Sequence, residues 1–439
     1  MRILLVEPPF HSFMHYDRWY YPSSLTQLAA VLHAAGHEVS IYDADKYFYK
    51  DLSTRERSVF ILKQQQYYDN VDNYEHYVWK HFLKTLAEIN PDVVGVSVFT
   101  CKLKSAVNTL KLVRKFNPAI KTCVGGAHVT GVPETFLLDE VDGIFTGYAD
   151  KTFPEWIAQG CPQGIIRGVL KDIDIANLPY PRKQSLLFKE HYTLKDMGFI
   201  MTSRGCIGRC TFCSNSFMWS GKPIFRKTES IRAELRELID EWQVKDVLIA
   251  DSSFTDLPAE AIKVAAIFKE LGLTWAANAS WMTMKEDLLS EFIDCGCQKI
   301  FVGLESGSDK LLRYMKKGSN RALIREKAKM INALGLRWQL HAIVGFPEED
   351  LEDMQQTLDF AMEIKPTSIS LNSFSPLPGT FIYNNIPDMT PDFAASVSQL
   401  NPEYSFSKHM DIETFKNMFL KMTETFDGYN KNSVHHFKE

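Results

Sequence analysis

The side chains best suited to chemistry stand together in Ser203-Arg204-Gly205-Cys206-Ile207-Gly208-Arg209-Cys210-Thr211-Phe212-Cys213. Three of the eight cysteines fall within this stretch, while Cys101, Cys123, Cys161, Cys295 and Cys297 are scattered or locally paired. In a chain whose thiols stay reduced, such crowding points to metal or redox chemistry before disulfides. A closed zinc or iron–sulfur site normally takes four protein ligands. Three thiolates can instead wrap one face of a [4Fe–4S] cluster and leave one iron open to a substrate or cofactor. The competing reading is a structural zinc completed by Cys295 or Cys297, although C-x3-C-x2-C is an uncommon spacing for zinc.

A loop of this kind needs a scaffold, and the 439 residues are enough for two or three domains. Apolar residues make up 45% and charged residues 23%, which excludes disorder and a small disulfide scaffold. Lys plus Arg total 49 against 54 Asp plus Glu, a net charge of −5, so no basic surplus advertises nucleic acid. The apolar runs are strand-length, short of the roughly 20 residues that span a bilayer. The N-terminus, Met-Arg-Ile-Leu-Leu-Val-Glu-Pro-Pro, reads as a buried strand rather than a signal peptide, and a cytoplasmic chain is expected.

Residues 1–163 alternate short apolar runs (Ile3–Val6, Val39–Tyr42, Val93–Val98, Thr122–Val124, Gly143–Phe145) with amphipathic segments. This pattern predicts an α/β, doubly wound, Rossmann-like domain with a parallel sheet, whose ligands sit at the carboxyl ends of the strands. Neither a Gly-x-Gly-x-x-Gly fingerprint nor a Gly-Lys-Ser/Thr phosphate loop is present. A Tyr-rich insertion over Lys46–His81 (Tyr47, Tyr49, Tyr67, Tyr68, Tyr74, Tyr77) reads as a helix burying its aromatic face, or as the lining of a cavity. Residues 164–194 read as a linker. Residues 195–385 repeat the β-α rhythm six times, which suits a partial (β/α)6 barrel with its chemistry at the carboxyl strand ends. Residues 386–439 read as a helical C-terminal cap. Cys295-Gly296-Cys297 precedes the fourth barrel strand, faces the far end and is expected to be structural.

Cys206-x3-Cys210-x2-Cys213 after a barrel strand resembles the radical S-adenosylmethionine (SAM) enzymes. The resemblance continues through Ile249-Ala250-Asp251-Ser252-Ser253-Phe254-Thr255, Gly303-Leu304-Glu305-Ser306-Gly307, Met315-Lys316-Lys317-Gly318, Ile343-Val344-Gly345-Phe346-Pro347-Glu348 and Ser375-Pro376-Leu377-Pro378-Gly379-Thr380. It implies that Cys206, Cys210 and Cys213 hold a [4Fe–4S] cluster whose open iron chelates SAM. It also implies reductive cleavage of SAM to a 5′-deoxyadenosyl radical, fed by an electron donor such as flavodoxin or ferredoxin. Phe212 is expected near the adenine, Asp251 and Ser253 near the methionine amine, and Gly345 and Pro347 in a loop against the adenine. Asn278 is expected to reach a ribose or to satisfy local backbone, Glu305 to accept ribose hydroxyls or the amine, and His341 to open toward the barrel or sit in its core.

A sheet domain ahead of such a barrel resembles the cobalamin-binding subfamily. The matching residues are Leu5-Val6-Glu7-Pro8-Pro9, Val94 to Thr100, Gly125-Gly126-Ala127-His128 and Pro133-Glu134. Pro8, Pro9, Ser97, Thr100, Gly125, Gly126, His128, Glu134 and Gly147 are the residues expected around the corrin or its tail. Two departures stand out. Asp-x-His-x-x-Gly is absent, so no histidine ligand to cobalt is expected, and Gly147-Tyr148-Ala149-Asp150 replaces the usual Gly-Glu-Gly-Glu. The function implied is a cobalamin-dependent methyltransferase acting on an unactivated carbon of a small molecule. The alternative is a radical SAM dehydratase, cyclase, epimerase or rearrangement enzyme of natural-product or tetrapyrrole metabolism.

Overall fold

A computed structural model describes residues 1–16, 20–46, 57–168, 174–219, 222–400 and 402–434. The first sheet contains β1 (Arg2–Glu7), β2 (Glu38–Asp43), β3 (Val93–Ser97), β4 (Lys121–Gly125), β5 (Gly143–Thr146) and β6 (Gly164–Arg167). All are parallel, in the order β2-β1-β3-β4-β5-β6. Ile3, Leu4, Leu5 and Val6 are each at most 1% exposed. A strand apolar on both faces is stable only between two covering layers, which the helices Ser23–Ala34 and Leu103–Phe116 help to supply. The strand order reverses between β1 and β3, which puts the switch point at the carboxyl ends of those two strands.

After β7 (Phe199–Ile200) come a two-stranded antiparallel ribbon of β8 (Ser203–Arg204) and β9 (Ile224–Phe225), then β10 (Asp246–Ile249), β11 (Thr274–Ala279), β12 (Cys297–Glu305), β13 (Arg337–Val344) and β14 (Ser368–Ser373). β7 and β10 to β14 form one parallel sheet that stays open between β7 and β14. Their residues alternate as a half-closed barrel demands. On β12, Ile300, Val302 and Leu304 are buried toward the helices, while Lys299, Phe301 and Gly303 are partly exposed on the other face. The C-terminal helix Ile412–Val434 covers β14, burying Phe415, Met418, Phe419, Met422 and Phe426 at helical spacing. Its Asn430 side chain both accepts from Ile369 N–H and donates to Ile369 C=O, each at 2.8 Å, which satisfies edge backbone of β14.

Two expectations about organisation change, and the two halves share a core. The sheet domain does not end at residue 163, because Gly164–Arg167 adds a sixth, edge strand paired with β5. The segment read as a linker is pinned where it is described. Arg182 N–H donates to Thr26 C=O, Leu187 N–H to Ile41 C=O, and Tyr192 Oη to Asp43 Oδ2. Nor does the barrel have a core to itself. One contiguous apolar cluster runs from Ile3, Leu5, Leu25, Phe145 and Trp156 through Tyr21 and Leu186 to Ile200, Ile231 and Trp275. In the aromatic insertion, Tyr67 is buried against Phe10 and Phe13, whereas Tyr74 and Tyr77 are 39% and 40% exposed. Tyr47 and Tyr49 lie outside the described residues. Among the described residues no helix is long and apolar enough to cross a membrane.

Candidate functional site

The cysteine loop leaves β8 through Gly205, whose φ of +104° suits glycine. A Cβ there would lie 2.2 Å from the Trp219 indole Nε1, so the glycine also admits the buried ring on which the loop folds. The loop is fastened on several sides. Ile207 N–H donates to Asp256 Oδ2 (2.8 Å), Thr211 N–H to Met315 C=O (2.9 Å), and Ile382 N–H to Thr211 C=O (3.1 Å). A Cβ on Gly208 would stand 3.3 Å from Cys206 Sγ and 3.7 Å from Cys210 Sγ, so these thiols flank one short turn. Burial pushes Cys206 up to about 12 and Cys210 up to about 11, with the carboxylates Asp256 and Glu305 adding to the effect. Bound metal is what turns such thiols into thiolates. Among the described residues no three His, Cys, Asp or Glu side chains converge closely enough to hold a single ion.

Beside them, Lys317 Nζ lies 2.6 Å from Glu305 Oε1. Its charge favours the thiolate forms of Cys210 and Cys213, and Glu305 in turn holds the ammonium protonated against burial. Glu305 has a φ of +62°, next to a register shift between β12 and β13. Such a bulge re-aims a side chain beside a functional cleft. A Cβ on Gly303 would sit 2.0 Å from Glu305 Oε1, so glycine there makes room for the ion pair. Phe212 meets Phe346 edge-on at 5.6 Å, which brings the aromatic of the cysteine loop to the Gly345-Phe346-Pro347 turn. That turn is shaped by buried Glu349, whose carboxyl accepts from the N–H groups of Gly345 and Phe346.

Asp251 and Ser253, expected near the methionine amine, have their side chains engaged within the protein. Asp251 is fully buried, accepting Thr202 N–H (2.7 Å), Thr202 Oγ1 (2.5 Å) and Ser203 Oγ (2.6 Å). Ser253 Oγ donates to Asp256 Oδ1 at 2.6 Å, and Asp256 takes the Ile207 N–H. Both polar side chains brace the strand and loop that carry the cysteines, whose orphan donors must find acceptors. Asn278 Nδ2 donates to Asp251 C=O, the local-backbone reading. His341 is partly buried, with its ring 6.1 Å from that of Phe301. Cys297 opens β12 and Cys295 ends the preceding helix, at the barrel end opposite Glu305.

A cavity of about 270 Å³ lies where the ends of β3, β4 and β5 face β7 and β8. Ser97, Gly125, Gly126 and Gly147 line it, together with Met201 and Arg204 from the barrel side. The other residues expected around a corrin are placed elsewhere. Pro8 and Pro9 are buried, and Pro8 C=O accepts from Lys102, whose ammonium also pairs with Glu7 and Asp45. Thr100 and His128 meet each other at 3.2 Å, and burial holds the His128 imidazole down at about 4. Glu134 is exposed on a 3-10 turn that points it outward. The Gly147–Asp150 departure has a structural role. Asp150 pairs with Arg204 through two hydrogen bonds (2.6 and 3.1 Å), and the guanidinium lies 4.6 Å from the centre of the Tyr148 ring. The sheet domain thus grips the residue two places before Cys206. Sequence reasoning flagged this loop as unusual without finding Arg204. It assigned no role to Lys317, Asp256 or Glu349, which only their spatial neighbours distinguish.

A parallel-sheet domain whose strand ends face a half-barrel with a three-cysteine loop defines an enzyme class that couples an iron–sulfur cluster to a second, sheet-bound cofactor. Sequence comparison agrees: the radical SAM superfamily matches residues 200–361 and the B12 binding domain matches residues 60–157. The chain belongs to the radical SAM superfamily, in the subfamily that carries a cobalamin-binding domain. It is 27% identical to cytidylyl-2-hydroxyethylphosphonate methyltransferase of Streptomyces wedmorensis, over 86% of this chain and 80% of that one. It is 23% identical to the anaerobic magnesium-protoporphyrin IX monomethyl ester cyclase of Rubrivivax gelatinosus, over 69% and 60%. Its fold matches the radical SAM methyltransferase TsrM of Kitasatospora setae, solved with cobalamin and a [4Fe–4S] cluster, with a TM-score of 0.64 at 18% identity, over 88% and 74%.

Proposed function

We propose that this protein is a cobalamin-dependent radical SAM methyltransferase acting at an unactivated carbon of a small molecule. The observation that carries the reading is the cavity shared by Ser97, Gly125, Gly126 and Gly147 with Arg204, which puts the sheet-domain crevice against the root of the cysteine loop. Cys206, Cys210 and Cys213 hold the cluster, and the four cavity residues of the sheet domain contact the corrin. Phe212, Glu305, His341, Gly345 and Pro347 form the SAM side of the site. When bound, these cofactors supply a carbon-centred oxidant and a methyl carrier. The protein's own work is to orient them and to exclude water. Lys317 offsets cluster charge, and the Lys317–Glu305 pair presents a carboxylate to hydroxyl or ammonium groups. One-electron reduction comes from an external donor such as flavodoxin or ferredoxin, in the cytoplasm.

The similarity to the methyltransferase of Streptomyces wedmorensis supports methyl transfer, and that to the cyclase names the competing chemistry. The test is anaerobic reconstitution with iron, sulfide and hydroxocobalamin, then gel filtration and incubation with SAM and a low-potential reductant. Methyl transfer requires retained corrin absorption and formation of both S-adenosylhomocysteine and 5′-deoxyadenosine. Retention of no corrin, with 5′-deoxyadenosine as the sole nucleoside, sinks the methyltransferase reading in favour of cyclisation or rearrangement.

A further inference from the structure

The outer face of the cysteine loop belongs to the molecular surface. Ile207 and Arg209, which lie between Cys206 and Cys210, are both exposed, Ile207 at 39%. Two further large apolar side chains are exposed beside the loop, Met282 at 41% and Phe381 at 55%. Hydrogen bonds and contacts join the three into one collar. Asp256 holds the Ile207 N–H, and its neighbour Thr255 accepts from Ser280 N–H (2.9 Å) and meets the Thr283 hydroxyl at 2.8 Å. The turn that carries Met282 is thereby tied to the same loop as Ile207. A Cβ on Gly318 would lie 2.6 Å from Met282 Sδ, so the thioether rests against the stretch 316–318. Lys316 Nζ lies 5.8 Å from the centre of the Phe381 ring, and the next residue, Ile382, returns to the cysteine loop through its N–H on Thr211 C=O.

The collar carries positive charge although the chain does not. The whole protein has a net charge of −5, yet exposed Arg209 and Lys316 stand among these apolar groups. Arg209 is anchored by donating to Trp219 C=O at 3.0 Å. The carboxylates beneath are engaged, Asp256 by the Ile207 N–H and the Ser253 hydroxyl, and Glu305 by Lys317. Glu286 and Asp287, the acids that follow Met282 in the chain, sit in the first turn of the helix Glu286–Asp294, where the helix dipole favours them. Exposed Met and aromatic groups beside cations mark a contact surface for another protein. In the proposed reaction an electron must reach the cluster from outside, and the exposed cysteine loop is its shortest route.

We propose that this collar is the docking face for a flavodoxin-type electron carrier, an acidic protein that presents the apolar edge of its flavin within a rim of carboxylates. Ile207, Met282 and Phe381 meet the apolar edge, and Arg209 and Lys316 face the acidic rim. Complementary charge of this kind sets encounter rate and orientation. The transfer is a single electron from the anionic flavin hydroquinone to the oxidised cluster, which leaves the neutral semiquinone. No atom or proton moves, and no other reactant enters. The proposal deepens the reading of Cys206, Cys210 and Cys213 as cluster ligands, and rests on it.

The test uses the reconstituted holoenzyme with flavodoxin as the probe. Oxidised flavodoxin, which transfers nothing, is titrated by calorimetry into the parent and into Lys316→Glu, Met282→Glu and Lys263→Glu. The last variant alters an exposed lysine on the helix Pro258–Leu271. The parent should bind at about 0.01 M ionic strength and lose affinity toward about 1 M, as the screening length falls from about 30 Å to about 3 Å. Lys316→Glu and Met282→Glu should each weaken binding roughly tenfold, and Lys263→Glu should leave it unchanged. Stopped-flow absorption then follows cluster reduction, which should slow with flavodoxin hydroquinone in both collar variants and stay at the parent rate with titanium(III) citrate. Where one collar variant loses iron, the other decides. Absence of binding by the parent, parent-like binding by the collar variants, or an equal loss in Lys263→Glu overturns the proposal. A parent that assembles no cluster refutes the ligand assignment and the docking face with it, and iron analysis shows that failure separately.

Discussion

Replacement of Cys206, Cys210 or Cys213 by Ala is expected to remove the cluster and SAM cleavage together, because the proposed ligand set takes these three thiolates as its whole protein share. Anaerobic iron and sulfide analysis should give about four of each in the parent and far less in each variant. Cys295→Ala and Cys297→Ala, at the other barrel end, should leave iron unchanged. Iron retained by all three loop variants rejects the ligand assignment. A second residue with a measurable signature is Glu349, which burial raises from its ordinary 4.5 to about 8. Because the folded value lies above the unfolded one, its contribution to stability is full below pH 4.5 and is lost as pH rises toward 8. Each unit of separation is worth about 1.4 kcal/mol. The thermal midpoint of the parent should therefore fall as pH rises from 4.5 to about 8, and Glu349→Gln should flatten that fall. A slope as steep in the variant assigns the pH dependence to other groups.

At the level of elements, the cysteine loop depends on the end of β10 as much as on its own residues. Asp251 accepts three hydrogen bonds from Thr202 and Ser203, and Asp256 anchors Ile207. Asp251→Ala strands those donors in a buried site, at about 1–3 kcal/mol for each one left unsatisfied. The expected result is a lower thermal midpoint and at least a halving of reconstituted iron, with the ligating cysteines intact. Full iron at an unchanged midpoint counts against a bracing role for Asp251.

For the whole molecule, the shared apolar cluster joins sheet and half-barrel into one cooperative body. Anaerobic urea unfolding, followed by far-ultraviolet circular dichroism and by cluster absorption, should show coincident transitions. Two separated transitions would mean that the continuous core does not couple the domains. The cavity between them can be probed at Gly125, where an added Cβ meets only Phe145 at ordinary contact distance, 3.6 Å. Gly125→Leu should narrow the cavity and reduce retained corrin without unfolding the protein. Gly126 is the poorer probe. Its φ is +117° and a Cβ would lie 2.8 Å from Val98 C=O, so Gly126→Leu should destabilise the sheet domain whether or not a corrin is present. If Gly125→Leu retains corrin as well as the parent, the cofactor lies elsewhere.

Local pattern by itself determined the strands and the cysteine loop. The continuous apolar run Ile3–Val6 and the β-α repeat placed the sheet strands, and C-x3-C-x2-C after the first barrel strand marked the proposed cluster site. These are properties of near neighbours in the chain, which periodicity and spacing record directly. The edge strand Gly164–Arg167 escaped notice because four residues with one apolar pair make too short a pattern. Tertiary structure decided which polar side chains serve the cofactors and which serve the fold. Asp251 and Ser253 have the right types at the right strand end, yet the folded loop claims their hydrogen bonds. Lys317 becomes part of the site because the bulge at Glu305 turns a carboxylate toward it. Arg204 and Asp150 are 54 residues apart and meet only where the two sheets face each other. A buried donor or charge takes whichever partner the fold brings within reach, and that partner is not encoded in the residue's own neighbourhood.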